Sequence, residues 1–339
     1  MRPLRTLFAT SRGKKSVATS VLVKVVLGDG TVGLGEAPTS FNMPYETLPV
    51  IHATLRQART RLAGVSIDDY PAWLAKFRRS RPTCHMTLAG LEVALFRASL
   101  AVRSEGEWRH WGGRRDRIET DITIPFLTDR RMLEEWLARI AKTGFRTYKV
   151  KVSGKIEDDM ALVRAVRESL KRGGRPFTIR LDGNQGYTDR SYLAMLDRLG
   201  REGIEVELFE QPLPQDDFAG LKRIARRSRL PVILDETVCD EAACRRVADE
   251  GLGQGVNIKI AKSGIAGSAA IIKTARRAGL KLMIGCMTET MVGLSAGINL
   301  AAGTGAFDYV DLDSVHLLSG RRSCQGITAS GPQYLLEEG

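Results

Sequence analysis

The sequence has little of what supports a disulfide scaffold, a base-stacking surface or a membrane span. Its five cysteines are odd in number and scattered, which predicts free thiols in a reducing cytoplasm. Aromatic residues make up 6%, and none alternates with the basic runs as nucleic-acid stacking requires. No apolar run reaches 18 residues, and no apolar core follows the basic residues 1–20, so we expect neither a membrane helix nor a secretory signal.

Positive charge is in excess, with 51 Lys and Arg against 39 Asp and Glu and a formal net charge of +12. Such a chain can attract nucleic acid or acidic small molecules. The arginines lie in pairs spread along the sequence, such as Arg78-Arg79 and Arg276-Arg277, mostly on predicted outer helix faces or in loops. We therefore interpret them as solvated surface and expect no nucleic-acid partner. A non-catalytic binder of anions or nucleic acid stays an alternative, which salt-sensitive DNA binding would favour.

The first third of the chain has an irregular, mixed pattern. Val21–Leu27 predicts a strand, Asp29-Gly30 a hairpin turn and Thr31–Glu36 the returning strand. Apolar spacing then becomes helical between residues 45 and 100. A Gly/Arg-rich stretch at 111–115 marks a boundary, so we predict an α+β domain in residues 1–113.

A regular strand–helix alternation begins near Thr120. Eight strand centres are predicted at intervals of about 26 residues, with amphipathic helices between them. Eight strands joined by seven helices predict a parallel sheet that closes into an α/β barrel, a modified TIM barrel of the (β/α)7β type, in residues 114–318. Such barrels carry their chemistry at the C-terminal ends of the strands.

Two motifs fail on their context. Residues 28–33 match G-x-G-x-x-G, but the following residues, Leu34–Pro38, cannot open the helix that would hold a phosphate. Residues 293–297 match G-x-S-x-G, but Ser295 lies inside a predicted helix instead of at a strand end. The four histidines show no metal-ligand spacing.

Polar side chains at the ends of successive predicted strands form the informative pattern. Asp182, Glu210 and Asp235 place one carboxylate at each of three successive strand ends. Carboxylates that point inward repel one another unless a cation neutralises them, and three oxygen ligands with open positions suit Mg²⁺. A ring of ion pairs at the barrel end is the simpler structural alternative.

Lysines flank this trio on both sides. Lys149 and Lys151 lie two apart on one strand and face the same way, and Lys259 lies on a strand beyond Asp235. Mg²⁺ can hold a substrate carboxylate and stabilise the enediolate formed when the adjacent carbon loses its proton. A lysine base needs its pKa lowered to about 7–8, and nearby cations favour this. Lysines on opposite sides of a planar intermediate could invert a stereocentre.

These strand-end residues resemble those of the enolase superfamily, in its muconate-lactonizing subgroup. The matching motifs are Lys149-Val-Lys151, Asp182-Gly-Asn184, Glu210-Gln-Pro212, Asp235-Glu236 and Asn257-Ile-Lys259. Residues 33–38 resemble the start of that family's capping domain, which implies that residues 1–113 are the cap and that residues 319–339 return to it. The resemblance implies Asp182, Glu210 and Asp235 as Mg²⁺ ligands, Lys151 and Lys259 as the acid/base pair, and Lys149 and Asn184 as substrate-binding residues.

The last barrel strand resembles that of the dipeptide epimerases. Asp311-Leu-Asp313 is similar to their Asp-x-Asp, which receives the ammonium of the dipeptide, and Thr123 matches a threonine near the substrate. Pairing of these acids with local arginines is the structural alternative. N-acylamino acid racemases and cycloisomerases of the same subgroup stay open as other activities.

The capping loop Arg12–Ser16 resembles that of L-Ala-D/L-Glu epimerases, and Arg12 is our candidate for gripping a glutamate carboxylate. A solvated basic loop is the alternative. Gly264-Ile265 departs from the paired glycines usual after the sixth strand. The resemblance implies a Mg²⁺-dependent dipeptide epimerase, which acts on L-Ala-D/L-Glu, inverts the α carbon of the C-terminal residue and can be a homo-oligomer.

Overall fold

The computed structural model describes residues 1–41, 43–320, 323–324 and 326–337. The capping part begins with two antiparallel strand pairs and continues with helices. Its elements are β1 (Arg2–Thr10), β2 (Gly13–Ala18), β3 (Ser20–Val26), β4 (Val32–Pro38), α1 (Leu48–Leu62), a 3-10 turn (Ile67–Asp69), α2 (Tyr70–Arg79), α3 (His85–Val102) and α4 (Glu107–His110). The predicted hairpin is confirmed: β3 pairs with β4, and Gly30 takes φ +88° in the turn between them.

Helix α3 is the core helix of this part. It is long and apolar enough to cross a membrane by length and composition, but 78% of it is buried inside the molecule. Strand β4 packs directly on its backbone, since a Cβ added at Gly35 would lie 2.0 Å from the Gly90 carbonyl oxygen. Glycine at this position is what permits the close approach. Helix α3 therefore packs between β4 and helices of the barrel.

The barrel consists of eight parallel strands that neighbour one another in chain order. A short strand, β5 (Arg117–Glu119), precedes them. The barrel strands are β6 (Ile122–Ile124), β7 (Thr147–Lys151), β8 (Thr178–Asp182), β9 (Phe209–Glu210), β10 (Val232–Leu234), β11 (Gly255–Ile258), β12 (Lys281–Gly285) and β13 (Tyr309–Asp311). The connecting helices are α5 (Arg130–Ala141), α6 (Ile156–Arg172), α7 (Asp189–Arg201), α8 (Phe218–Arg227), α9 (Glu241–Glu250), α10 (Ile260–Arg277) and α11 (Met291–Thr304). The predicted (β/α)7β barrel with a separate N-terminal α+β part is confirmed.

The barrel interior changes character along the strands. Leu208, Ile233 and Met283 form a small apolar cluster inside it. Residues two positions further along, such as Glu210 and Asp235, face the same side and are polar. The C-terminal end of the barrel is therefore its polar end.

The chain ends with α12 (Ser314–Leu317) and three short strands, β14 (Ser323–Cys324), β15 (Ile327–Ser330) and β16 (Gln333–Leu336). The expected return of residues 319–339 to the cap stays a prediction. The N–H of Ser319 donates to the Pro3 carbonyl in β1, and strand β16 pairs with β5, which leads into the barrel. Tyr334 of β16 is buried, and its hydroxyl donates to the Leu312 carbonyl, which attaches this strand to the barrel. Residues 321, 322, 325, 338 and 339 lie outside the described residues, and the domain limits at 113 and 318 stay predictions.

Candidate active site

A cavity opens at the C-terminal end of the barrel, under the β1–β2 hairpin. It brings together most of the residues singled out in the sequence. Its walls include Thr123, Lys149, Lys151, Asn184, Lys259, Asp311 and Asp313 from the barrel, and Phe8, Lys15 and Phe41 from the cap.

Each flanking lysine contacts a different member of the carboxylate trio. Lys151 donates to Asp182, and Lys259 Nζ lies 2.8 Å from Asp235 Oδ2. Lys149 sits between them, with its Nζ 3.4 Å from Glu210 Oε2 and in contact with Asp311. The strand ends place these groups as the sequence predicts, because each side chain is two residues beyond an inward-facing neighbour.

A fourth lysine at this end was missed in the sequence. Lys262 Nζ lies 2.6 Å from Asp235 Oδ1 and also donates to the carbonyls of Val238, at 3.0 Å, and Asn257, at 3.2 Å. Its position one turn beyond Lys259 was the available signal. Lys262 is 1% exposed and therefore holds Asp235 from behind, away from the cavity.

The pKa values of the carboxylates diverge. Burial, followed by the charge of Asp182, raises the pKa of Glu210 to about 7. Burial, followed by the charge of Asp235, raises the pKa of Glu236 to about 8. Burial alone would also raise the pKa of Asp235, but Lys259 and Lys262 outweigh it and hold this pKa well below its usual range. The lysines therefore stabilise the charged form of Asp235, whereas Glu210 and Glu236 are disfavoured as charged groups by burial and by neighbouring carboxylates.

The donor set at this end fits a divalent cation. Buried carboxylates and ammonium groups lie close together there: Asp182, Glu210, Asp235, Glu236, Asp311 and Asp313 beside Lys149, Lys151, Lys259 and Lys262. Among the described residues, the buried side-chain oxygens of Asn184 and Asn257 also have no hydrogen-bond partner. Carboxylate and amide oxygens are ligands that Mg²⁺ accepts.

A second acidic cluster lies beside β13. Oxygens of Asp121, Asp311 and Asp313 approach within 4.8 Å of one another. Arg180 contacts Asp121 at 2.8 Å, and the Thr123 N–H donates to Asp313 at 2.6 Å. Of these acids, Asp311 and Asp313 reach the cavity wall. They could receive a cation there, either an organic ammonium or a metal.

The structure does not bring Arg12 to the cavity. Arg12 lies at the exposed tip of the β1–β2 hairpin, where its N–H donates to Thr10 Oγ1, and it is not among the described residues that line the cavity. A two-residue tip directs this side chain outward, while Ser11 donates to the Asn184 carbonyl at 2.7 Å. The cation that the hairpin does place in the cavity is Lys15.

The sequence matches the family model of the enolase C-terminal domain-like proteins over residues 131–329. The chain therefore belongs to this family. It is 34% identical to the aromatic dipeptide epimerase of Herpetosiphon aurantiacus, over 92% of this chain and 86% of that one. It is 33% identical to the L-Ala-D/L-Glu epimerase of Thermotoga maritima, over 89% and 86%.

Solved structures show the same similarity. The substrate-liganded L-Ala-D/L-Glu epimerase of Bacillus subtilis superposes with a TM-score of 0.91, covering 99% of this chain and 93% of that one at 30% identity. The dipeptide epimerase of Enterococcus faecalis, complexed with Mg and L-Leu-L-Tyr, gives a TM-score of 0.86, covering 99% and 94% at 26% identity. The predicted relationship to the muconate-lactonizing subgroup and its dipeptide epimerases is confirmed.

Proposed function

We propose that this protein is a Mg²⁺-dependent dipeptide epimerase that inverts the α carbon of the C-terminal residue. Lys151 and Lys259 both line the cavity, and each contacts a different carboxylate of the trio. This placement is the observation that carries the proposal. The relatives named dipeptide epimerases support the same activity.

Each of the two lysines carries out one of the two proton transfers. As a free amine, one of them takes the α-proton from one face of the substrate, and the other, as an ammonium, returns a proton to the opposite face. The carboxylates of Asp235 and Glu210 outweigh burial and raise the pKa of Lys259 above its usual range. Asp182, Glu210 and Asp235 would hold Mg²⁺, which would supply positive charge to offset these carboxylates and the negative charge that develops when the α carbon loses its proton. Lys149 adds a further cation for the substrate carboxylate.

The amino end of the substrate belongs at β13. Asp311 and Asp313 line the cavity as a pair of carboxylates and suit the ammonium of the N-terminal residue. An N-acylated substrate has no ammonium to pair with them. We therefore place N-acylamino acid racemisation and cycloisomerisation behind dipeptide epimerisation. Thr123 holds Asp313 in place through its backbone N–H.

We infer that the C-terminal residue is acidic, as in L-Ala-D/L-Glu, and that Lys15 takes the role first given to Arg12. Lys15 Nζ donates to Thr288 Oγ1 and lies 5.4 Å from the centre of the Phe41 ring. Phe8 also lines this part of the cavity and favours an apolar side chain instead. Hydrophobic or aromatic dipeptides are therefore the second candidate substrates.

A dipeptide library incubated in deuterium oxide tests the activity. We expect one deuterium to enter the α carbon of the C-terminal residue, detected by mass spectrometry, in reactions that contain Mg²⁺. N-acetylated versions of the best dipeptides serve as the comparison. Exchange into acetylated but not free dipeptides would favour the racemase, and DNA binding without turnover would favour the non-catalytic alternative.

Replacing Lys15 by methionine is expected to change substrate preference. A charged hydrogen bond contributes about 1.5–3 kcal/mol, so kcat/KM for L-Ala-L-Glu should fall about 10- to 100-fold. The value for L-Ala-L-Leu should stay within about threefold, because methionine keeps the apolar stem. Arg12→Met is the matched control on the exposed tip and should change neither value. Equal losses with both substrates would contradict the role of Lys15.

The preference for an acidic residue should also depend on pH. Burial lowers the pKa of Lys15 to about 8, and its Nζ contacts the hydroxyl of Thr288 and the rings of Phe8 and Phe41. The ammonium is thus present below about pH 8 and lost above it. We expect the ratio of kcat/KM values, L-Ala-L-Glu over L-Ala-L-Leu, to fall as pH rises through 8. The catalytic lysines act on both substrates, so their titration cancels in this ratio.

Lys15→Arg provides the control for this pH dependence. A guanidinium stays charged throughout this range, so the ratio should be flat in this variant. A wild-type ratio that rises or stays constant between pH 7 and 9 would exclude Lys15 as the recognition group.

We also infer a cytoplasmic location. All five cysteines, which lie within the described part of the chain, are free thiols. Free thiols are typical of a reducing compartment. A homo-oligomer stays a prediction that size-exclusion chromatography with light scattering can test.

A further inference from the structure

The turn that follows Lys259 is held from the capping domain. Helix α10 is interrupted at Gly264, whose φ of +70° and ψ of −173° separate residues 260–263 from the helix that restarts at Ile265. Within the first segment, the N–H groups of Lys262 and Ser263 donate to the Lys259 carbonyl at 2.8 and 3.1 Å. Lys259 and Lys262 therefore belong to one compact turn between β11 and the main part of α10.

A carboxylate from α3 caps the restarted helix. Glu92 is 4% exposed, and its Oε1 accepts the N–H of Ala266 at 2.9 Å. Its Oε2 lies 2.9 Å from the guanidinium of Arg78. A carboxylate at a helix N-terminus satisfies free N–H groups and interacts favourably with the helix dipole. Glu92 supplies this cap from a different domain.

The interruption at Gly264 and the helix cap formed by Glu92 depend on each other. A Cβ at Gly264 would lie 2.0 Å from Glu92 Oε2 and 3.0 Å from Arg78 Nη2. Gly264 therefore leaves the space that the carboxylate occupies, and its positive φ turns the chain so that the following N–H groups face Glu92. This accounts for the departure at Gly264-Ile265, which is not among the described residues that line the cavity.

We propose that Glu92 is a positioning residue for Lys259, an inference that rests on the proposed two-base epimerisation. One end of the turn is fixed by Lys262, which donates to Asp235 and to two carbonyls of the barrel. The other end is fixed by Glu92. With both ends fixed, the Lys259 ammonium is held against Asp235 on one face of the substrate. Lys151, on β7, has no part in this turn.

The difference between the two lysines provides the test. Glu92→Ala should impair proton transfer at the face served by Lys259 more than at the face served by Lys151. The measurement is the initial rate of α-deuterium incorporation, by NMR in deuterium oxide at saturating Mg²⁺, from L-Ala-L-Glu and L-Ala-D-Glu separately. The ratio of the two rates in one preparation does not depend on how much of that preparation is folded.

Lys151→Ala and Lys259→Ala calibrate the ratio. Each should lose exchange from the isomer whose proton its missing lysine removes. We expect Glu92→Ala to shift the ratio at least tenfold in the direction of Lys259→Ala, and Glu92→Gln, which keeps an oxygen acceptor, to restore it to within about threefold of wild type. Gly264→Ala should shift the ratio in the same direction, because the added methyl group would occupy the space of the Glu92 carboxylate.

Glu46→Ala is the matched control. Glu46 is also a buried carboxylate cap, 2% exposed, which accepts the N–H groups of Met86 and Thr87 at the start of α3 and does not contact the restarted helix. It should leave the ratio unchanged. An equal shift in Glu46→Ala, or no shift in either Glu92→Ala or Gly264→Ala, would overturn the positioning role. If the two lysine variants show no opposite preferences, the two-base proposal itself fails, and the inference with it.

Discussion

Lys259→Ala is expected to abolish epimerisation while the protein stays folded. A positioned general acid or base contributes about 10²–10⁴-fold to rate, and inversion requires both lysines, so kcat should fall by about three orders of magnitude. Removing one member of a buried ion pair usually destabilises a protein by about 3–5 kcal/mol. Here Asp235 keeps Lys262 as a partner at 2.6 Å, which limits that cost. Polarimetry with L-Ala-L-Glu measures the loss.

The same reasoning applies to Lys151→Ala, since Asp182 keeps Lys149 at 3.8 Å. Each variant should still exchange the α-proton of one isomer with solvent, because the remaining lysine serves its own face. Lys142→Ala, at the exposed end of α5, should behave as wild type. Inversion at a wild-type rate by either active-site variant would exclude the two-base mechanism.

Removal of the divalent ion is expected to have the second large effect. Dialysis against EDTA should reduce turnover below detection, and added Mg²⁺ should restore it. The ion should also stabilise the folded state, by about 2.7 kcal/mol at a concentration one hundred times its Kd. Chemical denaturation with and without Mg²⁺ measures this difference. Turnover that persists after chelation would contradict the proposal.

Two variants, Glu210→Gln and Glu207→Gln, test whether Glu210 binds the ion. Glu210 lies within hydrogen-bond distance of Lys149 and of Asn257 Nδ2, at 3.4 and 2.7 Å. Glu210→Gln should raise the Mg²⁺ concentration needed for half-maximal activity at least 10- to 100-fold, the loss typical even of residues that only support metal ligands. Glu207→Gln, on the approach to the same strand and paired with Arg180, is the matched control and should leave it unchanged. A larger effect from Asp121→Asn than from Glu210→Gln would place the ion in the cluster beside β13.

Much of the site could be predicted from the sequence because barrel strands impose a register on their ends. Strands in a parallel barrel end at one rim, and alternate residues face inward. The positions of Lys149, Lys151 and the three carboxylates follow from those two rules. The inward direction of Lys259 follows in the same way, although the helix α10 begins immediately after it. Asp311, at the end of β13, reaches the cavity for the same reason, whereas Asp313 lies beyond the strand at the start of α12.

The contacts between the capping domain and the barrel could not be predicted from the sequence in this way. No strand register relates the β1–β2 hairpin to the barrel, so the sequence favoured Arg12, whereas packing placed Lys15 against Thr288. The pairing of β16 with β5 was likewise not predicted from the sequence. Both features are contacts between segments far apart in the chain, which local patterns do not specify.

The sequence by itself determined the barrel, its polar end and the identity of the acids and lysines there, because periodicity and strand-end chemistry are local properties. The tertiary structure alone decided which cation of the cap enters the cavity and which buried groups contact Asp235 and the turn after Lys259. Lys262 and Glu92 show why: their roles depend on backbone groups that only the packing of α3 and α10 brings within reach.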